Sequence, residues 1–228
     1  MERVGPTLLV LALLAGTAAA FAVTERLKLK RSPIAAVEVD KTFSPVCRCR
    51  QRRARIGVRL RRSDRVTVQV LDEDGDVVRT LARHREVGTA KQVFAWDGRD
   101  GDGAVVPDGV YRPRIRLERR GRTFRLPNRI RVDTVRPTIA LTGLTAPGAA
   151  VHARYRLSEP ARAFMLVDGV QRVAGRGRRL QGKLDWFGRV DGAPVRAGRY
   201  RVRLVAEDPA GNRSRPTRAV AVEISPTA

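Results

Sequence analysis

The chain has 228 residues, 43% apolar and 30% charged, with a formal net charge of +23. That apolar share excludes wholesale disorder, and the length allows one domain or two of about 100 residues each. The charge invites a nucleic-acid reading, but only five of the 46 basic residues are lysine. Codon use in a GC-rich genome produces the same arginine bias, so the charge alone names no ligand.

The first predicted element is a helix over residues 1–31. Val4 to Thr24 carries no charge and is roughly as long as one bilayer crossing requires. Ala18-x-Ala20 and Ala20-Phe21-Ala22 both fit signal-peptidase sites, so the segment reads as a retained anchor or a cleaved export signal. Its length favours the anchor. The expected arrangement is a single N-terminal span in the cell membrane with the remaining chain extracytoplasmic; secretion after cleavage is the alternative. Arg26, Lys28, Lys30 and Arg31 oppose this arrangement, because the positive-inside rule keeps such a flank in the cytoplasm.

Beyond the helix the pattern is β. Ile56, Val58 and Leu60 alternate with Arg55 and Arg59; Val66, Val68 and Val70 alternate with Thr67 and Gln69. The same period of two recurs over Tyr111 to Leu117, Tyr155 to Leu157, Tyr200 to Leu204 and Val220 to Ile224. It marks strands with one buried and one wet face. Asp-Gly and Gly-Asn turns separate them, as in an all-β sandwich. "VVRTLARH", from Val77, is expected to continue a strand.

One phrase occurs twice. "WDGRDGDGAVVPDGVY" runs from Trp96 to Tyr111, and "WFGRVDGAPVRAGRY" from Trp186 to Tyr200. Trp96, Gly98, Arg99, Gly109 and Tyr111 align with Trp186, Gly188, Arg189, Gly198 and Tyr200. Upstream, Val58 to Gly75 aligns loosely with Tyr155 to Gly169, each reading as strand, polar turn, strand and Asp-Gly turn. Val132 to Thr138 is a Pro-containing linker. The expected organisation is a membrane segment over 1–31 and two tandem sandwich domains over 32–136 and 137–228. In each phrase the Trp is a core anchor, the early glycines permit positive-φ turns, and the Tyr opens the next strand facing inward.

The first phrase, with the Val68 to Leu81 hairpin before it, resembles the immunoglobulin-like domain named after flagellar hook-capping proteins, the FlgD-like type. Phe43-Ser44-Pro45 is similar to the start of that domain, although "VCRCR" replaces the polar turn that often follows. Ala206 to Ser214, "AEDPAGNRS", is similar to the closing segment of many bacterial surface immunoglobulin-like domains. The resemblance implies two tandem immunoglobulin-like β-sandwiches acting as spacer, adhesive or scaffolding parts; it implies no enzyme activity.

No catalytic constellation emerges. There is no G-x-S-x-G and there are two histidines, His84 and His152. Asp72, Asp74 and Asp76 have calcium-like spacing, but Gly75 and Arg83 stand where an EF-hand requires other positions and an acid, so hairpin turns are the reading there and at Asp97 to Asp102. Gly175 to Arg179 is read as a hairpin tip. No cofactor and no metal are expected. Cys47 and Cys49 are too few for a zinc site; they form two free thiols, a strained bridge or half of an intermolecular site. Arg55, Arg59 and Arg61 share one face of a strand and form a candidate anion-binding stripe. The expected partners are a membrane through the N-terminal helix and other envelope proteins or anionic surface polymers. The alternative function is a polyanion binder, nucleic acid included, using that arginine face. The low aromatic content disfavours nucleic acid.

Overall fold

The computed structural model describes residues 4–28 and 32–225, and within the N-terminal helix the side chains of 9–21. Helix α1 (Val4–Lys28) follows from an apolar, alanine- and leucine-rich run with Pro6 in its first turn, where a missing N–H costs nothing. Leu9, Leu11, Leu13, Leu14 and Phe21 are all exposed. Among the described residues no helix is long and apolar enough to cross a membrane. The single span expected over 1–31 is therefore not met there. The side chains of the basic flank, Arg26 to Arg31, lie outside the described residues.

The next nine strands are β1 (Ile34–Val39), β2 (Thr42–Phe43), β3 (Ala54–Leu60), β4 (Asp64–Leu71), β5 (Val77–Val87), β6 (Gln92–Trp96), β7 (Gly109–Leu117), β8 (Arg122–Arg125) and β9 (Ile130–Val132). They form a three-stranded sheet, β1-β3-β6, and a six-stranded sheet, β2-β9-β7-β4-β5 with β8 beside β7. The alternation read from the sequence places Ile56, Val58 and Leu60 of one sheet against Val66, Val68, Ile115 and Leu117 of the other, all at most 2% exposed. Val77–Val87, where "VVRTLARH" is expected to be extended, is a strand.

The second group is β10 (Ile139–Thr145), β11 (Val151–Val167), β12 (Val170–Ala174), β13 (Arg179–Trp186), β14 (Arg189–Val190), β15 (Ala193–Pro194), β16 (Gly198–Glu207) and β17 (Val220–Ile224). Its buried side chains form a second cluster with no member in common with the first. The pairing order recurs. The N-terminal half of β11 lies between β10 and β13, as β3 lies between β1 and β6; the C-terminal half lies between β12 and β16, with β17 beyond, as β4 lies between β5 and β7, with β9 beyond.

Two sequence expectations are corrected here. Ser158-Glu159-Pro160, read as a polar turn between strands, lies inside the 17-residue β11. Where the first half breaks at Arg61 to Ser63, β11 crosses from one pairing set to the other without a turn. Its register with β13 shifts between Arg156 and Ala161, so the strand bends rather than stops. Gly175 to Arg179, read as a hairpin tip, connects β12 to the start of β13, and each of these strands pairs with β11 instead of with the other. A local turn signal is blind to which partner a strand will choose.

Candidate functional site

The doubled phrase folds into the same loop twice. Trp96, fully buried, donates its indole N–H to the Arg99 carbonyl at 3.0 Å, and Trp186 does the same to Arg189 at 3.0 Å. Arg99 reaches across its loop to the Gly103 carbonyl and Arg189 to the Gly192 carbonyl, each at 2.6 Å. The Val106 amide closes on the Gly98 carbonyl at 2.9 Å and the Val195 amide on Gly188 at 2.8 Å. The Tyr111 and Tyr200 hydroxyls donate to the carbonyls four residues upstream, Pro107 and Arg196, both at 2.8 Å. Each Trp meets its Tyr edge to face, with centroids 5.0 Å apart in the first loop and 6.2 Å in the second.

The glycines act as the sequence implies. Gly98 and Gly188 have φ of 73° and 62°. A Cβ on Gly188 would lie 2.5 Å from the Ala149 carbonyl oxygen, and one on Gly98 would lie 2.8 Å from the Pro45 ring. Gly109 and Gly198 open strands β7 and β16. The arginines of the loops are the part that sequence reading left without a role. Their signal was present, since Arg99 and Arg189 align, but the carbonyl each one clamps is visible only once the loop is closed.

The acidic clusters are turn caps. The Asp72 carboxylate accepts the Gly75 and Asp76 amides at 2.9 and 2.8 Å, and Asp100 accepts Asp102 and Ala104 at 3.0 and 2.9 Å. Asp133, Glu159 and Asp208, singled out by nothing in the sequence, bring oxygens within 4.8 Å of one another and are the described residues placed to hold a cation. Asn212 already occupies part of that spacing. Its amide donates to the Asp208 carboxylate at 2.8 Å and to the Asp133 backbone carbonyl at 2.9 Å. Burial raises the carboxyl pKa of Asp133 and of Glu159, and mutual repulsion within the trio adds to both shifts.

Cys47 and Cys49 form a disulfide, which selects one of the three states open to the sequence. The loop it closes packs on the second half of the chain. A Cβ on Gly211 would sit 2.5 Å from Cys49 Sγ and 3.1 Å from Gln51 Oε1.

Arg55 and Arg59 stand exposed on β3, with Arg61 just beyond its end. They do not make an open stripe of three. Arg55 is held by Asp40 at 3.0 Å, and that carboxylate raises the guanidinium pKa. Arg61 donates to the Ser32 carbonyl at 3.0 Å. The larger basic feature lies beside them. A groove of about 800 Å³ is lined by Lys41, Arg50, Arg52, Arg53 and Arg55 from the first half of the chain and by Arg178 from the second. Of the three stripe residues only Arg55 reaches it.

Beyond α1 the chain is β, and the two sheets of its first half, packed around Trp96, have the build of an immunoglobulin-like sandwich. Residues 50–120 match the family model of the FlgD Ig-like domain. Over 59 residues the chain is 44% identical to the basal-body rod modification protein FlgD of Salmonella typhimurium (strain LT2), a stretch covering 24% of this chain and 24% of that protein. FlgD of Salmonella typhi gives the same figures. The match thus covers about a quarter of the length of these relatives. Among solved structures, the fibronectin(III)-like modules of Clostridium thermocellum CbhA are similar at a TM-score of 0.47 and 18% identity, over 84% of this chain and 95% of that one.

Proposed function

We propose that the chain is a non-enzymatic module of the cell envelope. Two immunoglobulin-like sandwiches, residues 32–136 and 137–228, sit on the extracytoplasmic side of a membrane behind the N-terminal helix and act as a spacer or contact part between envelope components. The observation that carries this reading is the doubled Trp loop. The parts its two copies share are spent on hydrogen bonds to the chain's own carbonyls, so the repeated motif builds scaffold. The match of residues 50–120 supports the same class for the first half, and the separate second core and recurring strand order support a second copy.

Among the described residues neither histidine ring is hydrogen-bonded to a hydroxyl or thiol. His152 pairs with Asp185 at 2.8 Å and His84 lies 3.7 Å from Glu118, so neither ring is set beside a nucleophile it could activate.

One observation supports the proposed location. A disulfide persists in oxidising compartments and is rare in a reducing cytosol. Protease shaving of intact cells, followed with an antibody to the C-terminal strands and a membrane-fraction control, tests the arrangement. The epitope should disappear from intact cells while untreated cells keep a membrane-bound chain. Protection that persists after the outer layers are opened would place the sandwiches inside and overturn it.

A further inference from the structure

The basic groove is not explained by a spacer role. Six cationic side chains line it, and the one acidic group beside them, Asp40, is engaged with Arg55. Among the described residues Arg50, Arg52, Arg53 and Arg178 have no acidic partner, and all four are exposed. Like charges gathered in a concavity repel one another and focus a positive potential, an arrangement that favours a ligand bringing several negative charges close together.

The groove is also built rather than loose. The Cys47–Cys49 disulfide immediately precedes Arg50 to Arg53, the Ser44 amide closes on the Gln51 carbonyl at 3.1 Å, and the loop rests against Gly211. Arg178 arrives from the β12–β13 connection, so both halves of the chain contribute.

The chemistry of the lining selects among polyanions. Guanidinium forks match the paired oxygens of phosphate. No aromatic side chain lines the groove, so it lacks the aromatic platform on which single-stranded nucleic-acid sites stack successive bases. We propose that the groove binds a linear phosphate polymer without nucleobases, of the polyphosphate or polyphosphodiester class, through the guanidinium groups of Arg50, Arg52, Arg53 and Arg178. This site differs from the β3 stripe and does not depend on which side of a membrane the chain occupies.

The test uses the purified full chain in neutral detergent and inorganic polyphosphate of defined length as the probe, with binding followed across a salt series. The comparison is between R50S/R52S/R53S/R178S and a charge-matched control, R112S/R199S/R201S/R203S, which removes four exposed arginines from strands outside the groove. Tryptophan fluorescence and melting confirm that both variants fold. The groove variant should lose about tenfold or more in affinity and show a shallower salt dependence, and the control roughly threefold or less. The fully charged R50K/R52K/R53K/R178K variant should fall between wild type and the serine variant if the forks matter. Equal losses in the groove and control variants would reduce the effect to net charge and overturn the proposal. So would an absence of polyphosphate binding by the wild type. Single-stranded DNA of equal charge binding as tightly, and losing as much in the groove variant, would overturn it in favour of nucleic acid. None of these outcomes bears on the shaving result, so the two proposals fail separately.

Discussion

At the level of single residues, Trp96 is the position on which the first core turns. It is fully buried, meets Phe43 at 5.4 Å and Tyr111 at 5.0 Å edge to face, and has its one polar atom satisfied by Arg99. Trp96→Ala removes a large aromatic from between two sheets and should cost about 3–5 kcal/mol, the usual range for such a truncation. Chemical denaturation of the full chain checks it; a first-half transition that does not move would show that the ring contributes little. This anchor was legible in advance because a tryptophan ending an alternating strand, repeated ninety residues on, has few uses other than packing. Its neighbour Phe43 was not legible as a partner. Phe43 and Pro45 belong to a short segment far upstream, and only β-sheet closure brings them over Gly98.

The elements differ in how much of their behaviour is local. Period-two strands such as β4 and β7 form wherever the alternation is clean, since a slip by one residue would turn every valine outward. The loop from Ser44 to Arg53 carries no periodicity and takes its shape from the disulfide and from its contact with the Gly211 turn. Removing the bridge with C47S/C49S should leave both cores standing, because so small a closed ring adds little chain entropy to the stability. It should instead make residues 44–53 the first site of limited proteolysis and weaken polyphosphate binding severalfold. Cleavage kinetics unchanged from wild type would show that the loop holds its form without the bridge.

Across the whole molecule, the place where the two halves meet is electrostatically uneven. The basic groove lies there, and so do Asp133, Glu159 and Asp208, with Asn212 bridging from the second half to the Asp133 carbonyl. Burial first, and then repulsion from Asp133 and Asp208, hold the Glu159 carboxyl above its ordinary value of 4.5. A carboxyl whose folded pKa is raised weakens folding at pH values above that pKa and ceases to do so once it is protonated in both states. Glu159→Gln should therefore raise the melting temperature at neutral pH. The gain should shrink as pH falls through the raised pKa and vanish below 4.5. A gain that persists in acid would trace to packing rather than to charge.

The residues alone carried the β class, most of the strands, the Trp loops and the glycines that permit them, because periodicity, turn chemistry and a repeated phrase are properties of neighbouring positions. Tertiary structure decided what depends on distant positions meeting. It ran β11 unbroken through an expected turn, paired Arg55 with Asp40 and Arg61 with the Ser32 carbonyl, and placed Arg178 beside Arg50 to Arg53. The charge of an arginine can be read from its letter. Whether that charge is cancelled is set by what lies within a few ångströms, and in this chain those neighbours come from 15 to more than 100 residues away.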